Sequence, residues 1–280
     1  MIKHDVVGVQ RPAAGGDGSS AGHRILMTLE ACAALKRSLT ITELVEETGL
    51  AKSTLHRTCW KLVGLGLLEH SDAGFSTGVK LFALGNANPV LSGVRAAAVP
   101  ALLELQRVTG AMSNLAILHD GQALVVDALY STQPSLPRLI GASLPLHCTA
   151  VGKAIAASLG SDAREELVLD RGLRPATGRT IVRRTLLRDH LEQVAQDGIA
   201  TSNEEFMPGI CGVASPVKLG DGTIVAIGFV GKINRGVIQQ VSAPVRQAAQ
   251  SLTAALSWAV PQPAVPAGGT GVWRSSADSF

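Results

Sequence analysis

The stretch Thr40-Ile-Thr-Glu-Leu-Val-Glu-Glu-Thr-Gly49, followed by Leu50-Ala-Lys-Ser-Thr-Leu-His-Arg-Thr-Cys-Trp-Lys-Leu-Val63, decides how the N-terminal part of the chain folds. Thr40 and Glu43 stand at the capping-box spacing, in which a hydroxyl and a carboxylate each satisfy an amide left free at a helix start. The spacing predicts a helix to about Thr48, a turn at Gly49, and a further helix from about Ala51 to Val63. That last helix places Leu55, Cys59, Leu62 and Val63 on one stripe, at i, i+4, i+7 and i+8. Its other face carries Lys52, Ser53, Thr54, His56, Arg57 and Lys61, and no acidic residue occurs between Leu50 and Leu68. Hydroxyls reach phosphates or base edges and arginine pairs bidentately with guanine, so these six residues suit a helix lying in a major groove of duplex DNA. A solvated basic face would look the same in isolation, and it is the surroundings that make the pattern specific.

Upstream, Ile25, Leu26, Leu29 and Ala33 recur at helical spacing between His23 and Ala34. Downstream, Leu67 to His70 and Phe75 to Thr77 are short extended runs around Ser71-Asp-Ala-Gly74, which is hairpin chemistry. Three helices and a hairpin make a winged helix-turn-helix. Trp60, near the polar face, is read as a half-buried packing residue, and Lys80, just past the wing, as a candidate phosphate contact.

The whole chain of 280 residues is 46% apolar, 17% charged and 3% aromatic, which suits a soluble globular protein of two folded units and excludes disordered and collagen-like classes. A net charge of +3 is too mild for blanket polyanion binding, so any nucleic-acid surface must arise from local clustering. Cys32, Cys59, Cys148 and Cys211 are far apart and form no CxxC pair, so neither a disulfide framework nor a zinc site is expected, and reduced thiols fit a cytoplasmic protein. The start carries Lys3, His4 and Asp5 without an apolar h-region, and the longest apolar run, Thr223 to Gly231, is shorter than a membrane span. No export, membrane insertion, cofactor or metal is expected.

Residues 1–22 and 259–280 are rich in Pro, Gly, Ala and Ser and read as flexible tails. The pattern changes near Asn86 to Pro89, dividing a DNA-binding unit (23–85) from a linker helix (86–110), whose amphipathic stretch is Val90 to Val108, and a larger unit (111–258). In that unit Asn114 to His119 and Ala123 to Leu129 are strand-like and meet at Asp120-Gly121, while Leu146 to Lys153 reads as a loop entering a helix of small residues. Free amides at such a helix start can receive a carboxylate, although small residues equally serve close packing on a sheet. A cysteine-dependent enzyme is the competing class, with Cys148 or Cys211 as nucleophile, His147 or His119 as base and Glu204 or Glu205 as orienter. No nucleophile elbow, HExxH or phosphate loop accompanies them, so no catalytic residue is assigned and the glutamates are read as structural hydrogen-bond partners.

Leu44-Val-Glu-Glu-Thr-Gly-Leu-Ala-Lys-Ser-Thr-Leu-His-Arg57 and Gly78-Val-Lys-Leu-Phe-Ala-Leu-Gly85 resemble the IclR family of bacterial transcriptional regulators. The resemblance continues in Leu144-Pro-Leu-His-Cys-Thr-Ala-Val-Gly-Lys-Ala154, in Gly198-Ile-Ala-Thr-Ser-Asn-Glu-Glu205 and in Gly209-Ile-Cys-Gly-Val-Ala-Ser-Pro-Val217. It implies an α+β chain: a winged helix-turn-helix, a linker helix, and a GAF-like effector-binding domain with a twisted antiparallel sheet. It further implies a homodimer or dimer of dimers on an inverted-repeat operator, repressing or activating, with Ser53, Thr54 and Arg57 facing the DNA. A small-molecule effector, a carboxylate, is expected at Leu144, Ala150, Val151, Gly152, Ile210, Cys211, Gly212, Gly228 and Val230. Relatives binding very small oxo acids carry serines where Gly228 and Val230 stand and a cysteine where Gly212 stands. Fewer hydroxyls imply an effector with an apolar or aromatic body.

Overall fold

In the computed structural model, residues 20–35, 37–131, 136–232 and 235–258 are described. The tails read from the sequence lie outside this set, except that residues 20–22 already cap and begin the first helix.

Helices α1 (Ala21–Ala34), α2 (Ile41–Thr48) and α3 (Lys52–Gly64) precede a hairpin of β1 (Leu68–Ser71) and β2 (Gly74–Thr77). The Thr40 hydroxyl accepts from the Glu43 amide, and the Glu43 carboxylate accepts from the Thr40 amide, so the capping box is complete. Gly49 ends α2 with φ of 69°. Leu44, Leu55, Cys59, Leu62, Leu68 and Phe75 are buried together in the core of this unit. The α1 stripe is corrected by the structure: Ile25, Leu26 and Ala33 are exposed, and the helix buries Thr28 and Cys32 instead. Thr28 is accommodated because its hydroxyl donates to the Arg24 carbonyl, 2.7 Å away, which leaves its methyl to pack. Leu39 forms an additional bridge to Phe75, and Gly74 passes so close beneath it that a Cβ would meet the Leu39 carbonyl oxygen at 2.3 Å.

A short helix not read from the sequence, α4 (Val79–Gly85), follows the hairpin and buries none of its residues; Val79 is 75% and Phe82 69% exposed. Then α5 (Pro89–Thr109) runs for 21 residues, with Asn88 as N-cap and Pro89 at its first position, where the missing amide costs nothing.

The larger unit is built on a six-stranded antiparallel sheet in the order β5-β4-β3-β8-β7-β6. Its strands are β3 (Met112–His119), β4 (Gln122–Leu129), β5 (Ser143–Leu144), β6 (Ala200–Asn203), β7 (Cys211–Lys218) and β8 (Ile224–Gly231). Alternation sorts their residues to two faces. Leu115, Val213, Val225, Ile227 and Phe229 pack against α5 and the C-terminal helix α9 (Arg235–Trp258), giving one core. Ala116, Val125, Ala214 and Ala226 pack on the other face, in the cluster that includes α6 (Ala150–Ser158) and α8 (Arg184–Asp197). Between these helices, α7 (Ser161–Arg164) opens into a π turn ending at Leu169. The small residues of α6 let its backbone approach the sheet, which fixes where a cavity can remain.

Candidate nucleic-acid interface and ligand cavity

On α3, Lys52, Ser53, His56, Arg57 and Lys61 are exposed and Thr54 is half-buried, while Leu55, Cys59 and Leu62 face the core. One side of a single helix thus presents cationic and hydroxyl groups with nothing acidic among them. His56 is not free to turn: its Nε2 accepts from Trp60 Nε1 at 3.1 Å, and the Trp60 ring lies 4.9 Å from His70 and 5.7 Å from Phe75 of the wing. Trp60 joins the recognition helix to the hairpin although it stays 45% exposed. Lys80 is exposed just past the wing. Its ammonium donates to the Leu65 carbonyl at 2.9 Å, satisfying one of the acceptors orphaned at the C-terminal end of α3.

The second feature is a cavity between the sheet and the start of α6, holding about 610 Å³ of empty space, part of it continuous with solvent. Of the expected effector residues, Leu144, Ala150, Val151, Ile210, Cys211, Gly212 and Val230 line it. Gly152 and Gly228 do not. A Cβ at Gly152 would meet the Pro145 carbonyl oxygen at 2.4 Å, so this glycine serves the fit of α6 on its preceding loop. A Cβ at Gly228 would meet Val213 O at 2.2 Å and Ala214 Cβ at 2.8 Å, so a serine there has no room to point at a ligand. The sequence left unread Asn114 and Phe229 on the sheet, Leu136, Pro137 and Leu139 from the segment before β5, Thr149 and Ser202, and Phe206 and Met207 from the loop after β6. The apolar ones in loops carry no periodicity to place them, and Asn114, Thr149 and Ser202 look locally like any polar residue of a strand or helix cap.

None of the sixteen lining residues is charged. The Thr149 hydroxyl caps α6, accepting from the Gly152 amide at 3.1 Å and donating to the Pro145 carbonyl at 2.8 Å. The first turn of α6, at Ala150 and Val151, lies on the cavity wall, where helix-start amides have no intrahelical acceptor.

Behind the wall sits a buried ion pair that sequence reasoning did not foresee. Lys153, fully buried on α6, donates to Glu205 Oε1 at 2.6 Å, to the Thr201 carbonyl at 2.8 Å and to His190 Nε2 at 3.3 Å. Burial pushes the ammonium down and the carboxylate up from their ordinary values, and each partner opposes the other's shift. Three acceptors meet three ammonium hydrogens, so we assign an ionic pair beside a neutral His190. Burial, and secondarily the lysine charge, push His190 down to about 4. Glu204 adopts φ of 56° and holds the following turn through the Gly209 amide at 3.0 Å and Arg179 at 2.7 Å.

The residues of a cysteine enzyme do not converge. Burial pushes the Cys148 thiol up to about 12. His147 Nε2 lies 3.0 Å from the Arg174 carbonyl, Cys211 donates to Asn203 Oδ1 at 3.3 Å, and His119 contacts Asp120. Among the described residues, no cluster of His, Cys, Asp and Glu has the makings of a metal site.

Residues 23–72 match the IclR helix-turn-helix domain, and residues 90–254 match the bacterial transcriptional regulator IclR C-terminal domain. The chain belongs to the IclR family. Similar proteins include the glycerol operon regulatory protein of Streptomyces griseus, 32% identical over 218 residues that span 74% of this chain and 84% of that one. The acetate operon repressor of Salmonella typhimurium is 32% identical over 199 residues, 69% of this chain and 72% of its own. Among solved structures, an IclR homologue from Microbacterium hydrocarbonoxydans complexed with 4-hydroxybenzoate has a TM-score of 0.76 at 22% identity, covering 84% of this chain and 98% of the other. The Thermotoga maritima IclR has a TM-score of 0.67 at 23% identity, covering 83% and 97%. The protein is thus an IclR-family, DNA-binding transcriptional regulator.

Proposed function

We propose that this IclR-family regulator reads an inverted-repeat operator of a catabolic operon with Lys52, Ser53, Thr54, His56, Arg57 and Lys61. Its affinity for that operator changes when a small organic acid with an apolar or aromatic body fills the cavity over α6. The observation that carries the reading is that cavity: uncharged, mostly apolar, and bordered by the open helix start at Ala150 and Val151. The amides and the positive end of the helix favour a carboxylate, and the apolar wall favours the rest of the ligand. The Microbacterium hydrocarbonoxydans homologue, which holds an aromatic acid, supports this class.

A homodimer or dimer of dimers is part of the proposal, because one recognition helix reads too few base pairs for useful specificity. The exposed apolar residues of α4 and α1, Val79, Phe82, Leu84 and Leu26 among them, support association with a second copy. The working division is a DNA-binding unit at 23–85, a connecting helix at 86–110 and the effector unit at 111–258. We place the protein in the cytoplasm and assign it no reaction. Four free, buried cysteines support that compartment, and among the described residues no helix is long and apolar enough to cross a membrane.

Calorimetry and thermal shift against aliphatic and aromatic carboxylates test the effector half. Saturation at a hundred times the dissociation constant raises stability by about 2.7 kcal/mol. Ala150→Leu fills the cavity and is expected to abolish that shift while operator binding persists. An acid bound equally well by both proteins places the effector elsewhere.

A further inference from the structure

The sheet side of the cavity contains a polar residue that the fold does not explain. Asn114 occupies the middle of β3, a position that favours branched and aromatic side chains, and it is only 3% exposed. Its register neighbours are Ala128 on β4 and Gly228 on β8, one carrying a methyl group and the other a hydrogen. Neither side chain offers the amide a hydrogen bond, and among the described residues Asn114 Oδ1 is buried without a partner while the residue lines the cavity.

The other polar groups on the wall are already engaged. Thr149 is occupied with the α6 cap, the Ser202 hydroxyl donates to the Cys148 carbonyl at 2.8 Å, and the Cys211 thiol donates to Asn203. A buried acceptor left unmade is costly, so native interiors rarely keep one without a use. Among the described residues the flanking strands supply no partner, so at Asn114 it is left to come from the cavity side.

We propose that Asn114 is the specificity residue of the cavity and selects effectors that carry a hydroxyl on their apolar body, the hydroxyl donating to Asn114 Oδ1. A hydroxyl answers a side-chain amide well because it donates and accepts through one atom. The proposal rests on the effector reading of the cavity and narrows it: the acid group lies toward the start of α6, and the hydroxyl lies toward β3.

The test uses 3- and 4-hydroxybenzoate against 3- and 4-methylbenzoate, in which a methyl group replaces the hydroxyl at nearly equal size. Calorimetry is run on the full chain, wild type and Asn114→Leu, with Asn114→Ala as a second variant should the leucine disturb folding. Wild type is expected to bind at least one hydroxybenzoate at least about tenfold more tightly than its methyl counterpart. In the variants that ratio is expected to fall to about one, with the methyl compound retaining its affinity. A ratio that survives in both variants, or a wild type that prefers the methyl compounds, overturns the role of Asn114 and leaves the effector cavity standing. A wild type that binds none of the four acids overturns both.

Discussion

The face of α3 gathers its six polar residues between Lys52 and Lys61, whereas the cavity wall draws on positions as distant as Asn114 and Val230. The first is exposed and cationic, and water already satisfies its donors. The second is, among the described residues, uncharged and largely apolar, with the Asn114 oxygen unpartnered on its wall and an ion pair behind it. A surface that binds a polyanion works by accumulating charge where solvent keeps it affordable in free energy. A cavity that discriminates small molecules works by having few polar groups, placed where they fix the orientation of a ligand.

Breaking the ion pair should produce the widest separation between the two regions. Lys153→Met leaves Glu205 buried and uncompensated, and the effector unit is expected to lose about 3–5 kcal/mol of stability in urea unfolding. The α3 face, in a separate core, should keep its intrinsic affinity for operator DNA. An unchanged urea midpoint would show that the pair is not held as an ionic contact.

Arg57→Ala sharpens the contrast from the other side. It should weaken specific operator binding by about 1–3 kcal/mol and relax base preference at one position of each half-site. Melting and effector affinity should stay where they were, since Arg57 is exposed. Operator binding equal to wild type would remove Arg57 from the interface.

A smaller effect is expected from acid, and it should fall on one unit only. His190 is held at about 4, below the ordinary 6.5, so the folded state resists a proton that the unfolded chain accepts. A depressed value contributes stability above 6.5 that is lost as pH falls toward 4. Glu43 is held down to about 2, first by Arg37 and then by the Thr40 cap, so the start of α2 keeps its charge through the same window. Glu205, pushed up, opposes this loss and His147, pushed down by burial, adds to it, so thermal melts from pH 7 to 4 should show the effector unit weakening first and His190→Gln should reduce that slope. Parallel loss in both units would contradict it.

How far each region was legible follows from the same contrast. The capping box at Thr40 and Glu43, the turn at Gly49 and the α3 stripe involve residues within a few positions of one another, and local periodicity carried them. The α1 stripe failed because apolar residues outnumber the buried slots there, and the packing selected Thr28 and Cys32. Helix α4 went unread because it buries nothing and so has no stripe to show. In the cavity, family resemblance supplied Ala150, Val151 and Gly212, but Phe206 and Met207 sit in an irregular loop, and the role of Asn114 depends on neighbours more than a hundred residues away in Gly228. Nothing local marks Lys153 as buried, and only its distance to Glu205 reveals a buried pair.

The bridge between Leu39 and Phe75 also sets how the DNA-binding unit comes apart. Two backbone hydrogen bonds of 2.8 Å each tie these residues, and α2 and α3 both lie in the chain segment between them. The hairpin is therefore the closure of a loop whose interior is the helix-turn-helix, and the entropy of closing it is recovered only when the helices and strands are all in place. Half-folded forms that keep the recognition helix but release the wing gain little, so the unit should melt as one cooperative block. Damage at Gly74, outside the polar face of α3, would then reach operator binding as a fall in the fraction of chains that have a folded α3 to offer.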